Sequence, residues 1–150
     1  MATLAQFSRN IRRRGSQIEN SASRIVKAVS VRSLKSLVRN TPADKGVARS
    51  NWRVGIGAPT RSVIDAYSPG KNLGIGENAN ASAAINAGRA RINSLRSSTR
   101  GLETSIYISN AAPYIEKLNS GSSKQASAGF IEIALLEAKV EIAGFRVFER

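Results

Sequence analysis

The stretch Thr41-Pro42-Ala43-Asp44-Lys45-Gly46-Val47-Ala48-Arg49-Ser50-Asn51-Trp52-Arg53-Val54 constrains the fold more than any other part of this chain, and it holds the only tryptophan. A basic helical pattern runs up to Asn40. Pro42 disfavours the α region at Thr41, so that helix must stop there. Asp44 to Gly46 is turn chemistry, an Asx acceptor followed by a residue that tolerates positive φ. Asn51 to Ile56 alternates polar and apolar, which predicts a strand with Trp52, Val54 and Ile56 on one face.

Upstream, Leu4, Phe7 and Ile11 at i, i+3 and i+7 predict a short helix over 3–13, with Arg12-Arg13-Arg14 at its C-terminal end, where cations suit the helix dipole. Gly15 is expected to punctuate. Ser16 and Glu19 have the spacing of a capping box for a second helix, over 16–40. In that helix Ile18, Ala22, Ile25 and Val29 share one face, and Arg24, Lys27, Arg32, Lys35 and Arg39 fall largely opposite. Val31, Leu34 and Val38 do not fit two faces, which implies that its second half is covered on more than one side.

The charge is unevenly placed. Twenty-three Lys and Arg oppose ten Asp and Glu, a formal net of +13, and residues 1–53 hold twelve of the bases against two of the acids. Such an excess opposes compaction and points to a partner outside the monomer: nucleic acid, an acidic protein surface or a membrane face. With no Cys and no His, disulfides, thiolate metal sites and Ser-His-Asp or Cys-His catalysis are excluded. The longest apolar run falls far short of the ~20 residues of a membrane span, and residues 1–14 lack a secretory h-region. The expectation is one soluble domain over 1–150, made in the cytoplasm.

After the strand, taken to end near Ala58, the glycines and prolines from Pro59 to Gly76 predict a long loop with little order of its own. Residues 77–96 predict a helix dominated by small side chains, able to lie close to another backbone, and weakened by Gly88. Together, 59–103 reads as an insertion of loop plus helix. Residues 104–109 predict a second strand, rich in β-branched and aromatic types. Asn110 to Tyr114 is a corner and Ile115 to Leu118 a single turn. A last helix is expected over 130–143, with Phe130, Ala134, Leu135, Ala138 and Ile142 inward and Glu132, Glu137, Lys139 and Glu141 outward; Phe130 to Ile133 also tolerates strand alternation. The apolar tail Phe145, Val147 and Phe148 must pack somewhere.

Three segments together resemble the neck, or tail-completion, proteins of tailed bacteriophages. The first is Thr41 to Val54, with Thr41, Pro42, Asp44, Gly46, Arg49, Asn51 and Trp52 at the matching places. The second is Ile106 to Gly121, carried by Asn110, Pro113, Tyr114 and Gly121. The third is Ser123 to Phe130, carried by Gln125 and Gly129. Ser127 departs from a usual proline, and Lys45 and Val47 stand where Thr and Arg are more usual, so any pairing through that arginine must fall to Arg49 or be absent.

The resemblance implies an α+β fold like that of tail terminators, a small antiparallel sheet packed with a long N-terminal amphipathic helix and a C-terminal helix. It also implies a homo-oligomeric ring, of six subunits, that joins tail to head around the genome DNA and meets other neck, portal-side and tail-terminator proteins. No membrane, cofactor, metal or small-molecule ligand is expected, and no enzymatic activity. Asp44 and Glu116 have no nucleophile near them in sequence, and Gly70-x-x-x-Gly74-x-Gly76 lacks the Lys-Ser/Thr ending of a phosphate loop. Trp52, Tyr107 and Tyr114 read as packing residues. Phe145, Val147 and Phe148 are the expected subunit interface. Arg24, Lys27, Lys35 and Arg39 are expected to dock on acidic protein, and Arg12, Arg13 and Arg14 to approach DNA. The competing classes are a basic nucleic-acid-binding protein and an assembly factor that never enters the virion.

Overall fold

The computed structural model describes residues 3–70, 78–95 and 104–145. The chain is α+β. A long helix α1 (Leu4–Asn40) leads through a helical turn α2 (Val47–Ser50) into strand β1 (Arg53–Ile56). Helix α3 (Ala79–Asn93), strand β2 (Ile106–Ser109), the short helix α4 (Ile115–Asn119) and the terminal helix α5 (Phe130–Gly144) follow. β1 and β2 pair antiparallel, with Val54 opposite Ile108 and Ile56 opposite Ile106.

The first 40 residues correct the expectation of two helices: α1 runs unbroken through Gly15 and Ser16. Its N-cap is Thr3, whose hydroxyl accepts from the Gln6 amide while Gln6 Oε1 accepts from the Thr3 amide. One glycine costs a helix only ~1 kcal/mol relative to alanine, too little to stop it. Pro42 does stop it. Thr41 turns extended (φ −69°, ψ 123°), and its amide and hydroxyl both close on the Leu37 carbonyl at 3.1 and 2.6 Å.

The second correction concerns Asn51. The chain makes one more helical turn, α2, before the strand, and pairing begins only at Arg53. Gly46 makes this possible: it sits left-handed at φ 82°, and a Cβ there would overlap the Asn80 side-chain amide. Trp52 is therefore buried just ahead of the strand, beside half-buried Val54, in a core of Leu34, Leu37, Val38, Ala84, Ile85, Ile115 and Phe130.

α3 lies close to α1 and β1 because it is made of small residues. A Cβ at Gly88 would collide with Leu34 and Val54 side chains, so the glycine expected to weaken this helix is the one that admits it. Asn78 caps it, accepting from the Ala81 amide at 2.9 Å. It ends at Asn93 with Ser94 as its C-cap, short of the 77–96 expected.

Residues 59–70 are not the unsupported loop expected from composition. Asn51 holds Ile64 by both backbone groups, at 2.7 and 2.8 Å. Asn80, fully buried, does the same for Ser68, at 2.7 and 2.8 Å, and accepts from Ser50 Oγ. Ser109 Oγ bonds both backbone groups of Thr60 at 3.1 Å. Buried side-chain amides thus replace the partners that a ladder would supply. Residues 71–77, with Gly74 and Gly76, lie outside the described residues.

Candidate functional site

Two i+4 rows of α1, Lys27-Val31-Lys35-Arg39 and Ala28-Arg32-Ser36-Asn40, floor a cleft of about 590 Å³ between α1, α3 and α5. Arg89 and Asn93 enter from α3, Glu137 and Glu141 from α5. Five cations against two carboxylates make the cleft strongly basic, and its walls focus that potential. Part of the charge is engaged within the chain. Lys27 Nζ donates to the Leu95 carbonyl at the end of α3, and Arg32 lies 3.6 Å from Glu137. Both partners of that ion pair are well exposed, so it contributes at most ~1 kcal/mol.

Of the predicted basic contacts, the cleft gathers Lys27, Lys35 and Arg39 and leaves out Arg24, which is exposed further up α1. Arg12, Arg13 and Arg14 are exposed on the first half of α1, far along the helix from the cleft. Arg89 was not legible from sequence, because only the close packing of α3 on α1 brings it there.

α5 reverses its expected faces in part. Phe130 and Ala134 are buried, but Leu135 and Ile142, expected inward, are 60% and 53% exposed. Glu137 and Glu141, expected outward, face the basic cleft. Ile133, Leu136 and Val140 are exposed as well. α5 is apolar on nearly every side, and the short Ala134 and Ala138 with the two glutamates fit the stripe beside the cationic helix. Phe145 is half-buried and donates its amide to the Ile142 carbonyl at 3.1 Å; Val147 and Phe148 lie outside the described residues.

The motif residues divide by role. Thr41 is the hub of a buried network: Trp52 Nε1 donates to its hydroxyl at 2.7 Å, and Arg49 Nε to its carbonyl at 2.8 Å. Burial pulls the Arg49 guanidinium below its ordinary pKa. Pro42 and Asn51 are buried too. Asn110 ties the corner before α4 to α2, donating to the Ala48 carbonyl at 2.8 Å and accepting from the Ala112 amide at 3.0 Å. Gly121 (φ 87°) and Gly129 (φ 86°) are left-handed turn positions, and Gly129 is the N-cap of α5.

Three motif segments meet at a smaller cleft of about 310 Å³, where Pro42, Asp44 and Gly46 face Tyr114, Leu118 and Gln125. Tyr114 and Tyr107, expected to pack in the core or at an interface, are 40% and 39% exposed, so the core does not hold them. Partial burial pushes the Tyr114 phenol up. Pro113 is exposed. Among the described residues no group of three carboxylates is gathered as a metal ligand set, and no helix is long and apolar enough to cross a membrane.

No family model, curated protein or solved structure matches the chain.

Proposed function

We propose that this chain is a structural subunit of a tailed-phage neck, a tail-completion protein that assembles with its copies into a ring and joins tail to head around the DNA channel. The observation that carries the assembly half of this reading is α5, which holds five large apolar side chains in solvent while Glu137 and Glu141 line the basic cleft. Exposed apolar surface of this extent on one helix marks an interaction site. The neck assignment, and the likeness to tail terminators with it, rests on the resemblance of three sequence segments. Residues of all three line one cleft in the folded chain. The basic cleft on α1 supplies a docking surface for an acidic segment of a neighbouring ring, and Phe145, Val147 and Phe148 add to the subunit contact.

Deleting the gene is expected to leave DNA-filled heads and finished tails that do not join, with the protein found by mass spectrometry in wild-type virions at a few copies each. Its absence from virions overturns the reading. Charge reversal at Lys27 and Lys35 is expected to give the same unjoined parts. A second reading, contact with nucleic acid, is favoured by the exposure of Arg9, Arg12, Arg13 and Arg14 on the first half of α1. If those arginines grip phosphates, affinity for DNA falls steeply with salt, and replacing Arg12 to Arg14 by Gln flattens that slope.

A further inference from the structure

The first half of α1 and the outer face of α5 are two unpartnered apolar surfaces of matching pattern. From Thr3 to Ala22 the side chains are exposed, save half-buried Gly15, Glu19 and Ser21. Helix from Leu4 to Ala22 makes an arm about 28 Å long. Along it Leu4, Phe7 and Ile11 recur at i, i+3 and i+7, with 83, 59 and 55% of each exposed. On α5, Ile133, Leu136 and Val140 recur at the same spacing, 43, 63 and 67% exposed. That spacing makes one narrow seam on a helix, the kind that pairs with another of its own period.

The flanking charges are opposite. Beside the seam of the arm stand Arg12 and Arg14, and beside that of α5 stand Glu132 and Glu137. Two copies of the arm would bring like charges together, as would two copies of α5. An arm laid on α5 brings opposite ones. Within one copy the pairing is closed off, because α1 is a single unbroken helix already packed on a different stripe of α5 through its second half.

We infer that the α1 arm of one copy docks along the Ile133-Leu136-Val140 seam of the next copy. This rests on the assembly reading above and names the surfaces that would make it. The contact is heterologous, head to tail, so its repetition generates a ring where the rotation closes and a filament where it does not. It also gives Arg12 and Arg14 a protein partner in Glu132, exposed at the edge of the seam.

The test uses the absence of cysteine from the chain. Phe7 and Leu136 are the middle residues of their seams, so they face each other whether the helices run parallel or antiparallel. Full-length Phe7→Cys and Leu136→Cys variants, both at exposed positions, are kept reduced and then treated with a mild two-electron thiol oxidant, each alone and in a concentrated mixture, with circular dichroism confirming that each remains helical. The mixture is expected to give a disulfide-linked heterodimer at least tenfold above either variant alone, and the double variant a ladder of higher multimers. A dominant Phe7→Cys homodimer, a dominant Leu136→Cys homodimer or no disulfide in the mixture overturns the inference. Sedimentation of the unmodified chain separates the two levels. Multimers without the mixed disulfide sink this pairing and leave assembly standing, whereas the mixed disulfide in a protein absent from virions keeps the pairing and sinks the neck assignment.

Discussion

Trp52 donates its indole N–H to Thr41 Oγ1 at 2.7 Å, and that hydroxyl donates onward to the Leu37 carbonyl at 2.6 Å. One buried hydroxyl therefore couples the end of α1 to the start of the sheet. Thr41→Val keeps the shape and leaves the indole N–H unsatisfied, at a cost of ~1–3 kcal/mol. Thr41→Ser keeps the oxygen and loses one methyl, at a cost of about 1 kcal/mol. Urea titration followed by Trp52 fluorescence checks the order, and equal losses for the two variants would show that packing alone matters at this site.

Asn80 is the second anchor. Its amide is committed to both backbone groups of Ser68 and to Ser50 Oγ. Asn80→Leu is expected to orphan these groups, so that the amides of Ile64 to Ser68 exchange at least tenfold faster while those of α1 near Leu34 change little. Uniform acceleration across the chain would mean that Asn80 supports global stability and not this segment.

Gly88 tests how closely α3 must approach. A Cβ there meets Leu34 and Val54, so Gly88→Ala is expected to destabilise by ~1–3 kcal/mol through overpacking, despite the gain in helix propensity. Leu34→Ala removes the obstructing methyls at its own cost in buried surface. The double variant is expected to be more stable than the sum of the two losses predicts, by an amount read from a double-mutant cycle. Strict additivity would show that the helix shifts to make room.

The sequence made legible what depends on local chemistry. Pro42 placed the end of α1, the misfit of Val31, Leu34 and Val38 with a two-faced helix placed its many-sided burial, and the β-branched run at Ile106 placed β2. Gly15 misled because its local cost is spread over a helix of 37 residues. α2 escaped because four residues are too few to show a period. The order of residues 59–70 was hidden in Asn51 and Asn80, whose bonds are set by tertiary placement. On α5 the sequence puts Leu135 and Ile142 inward with Phe130 and Ala134, whereas the structure leaves them exposed. A helix apolar on nearly every side has no period that singles out the buried stripe.

Asn119 anchors α5 through side chains at its first turn. Its Oδ1 accepts from the Ile131 amide at 2.9 Å, and its Nδ2 donates to both Glu132 carboxylate oxygens, at 3.1 and 2.9 Å. The Asn119 bond, aided by Glu132's own amide, holds the Glu132 pKa below its ordinary value. A carboxylate whose folded pKa is depressed stabilises the fold above its unfolded pKa, about 4.3 for Glu, and loses that contribution as pH falls through the folded value. The wild type is therefore expected to be more stable than Glu132→Gln at pH 7, with the gap closing as the medium is acidified past the ordinary Glu range. Asn119→Ala is expected to move the Glu132 side-chain titration, followed by NMR, back up toward that range. Parallel pH profiles for the wild type and Glu132→Gln, or an unmoved titration in Asn119→Ala, would show that this amide does not hold the carboxylate.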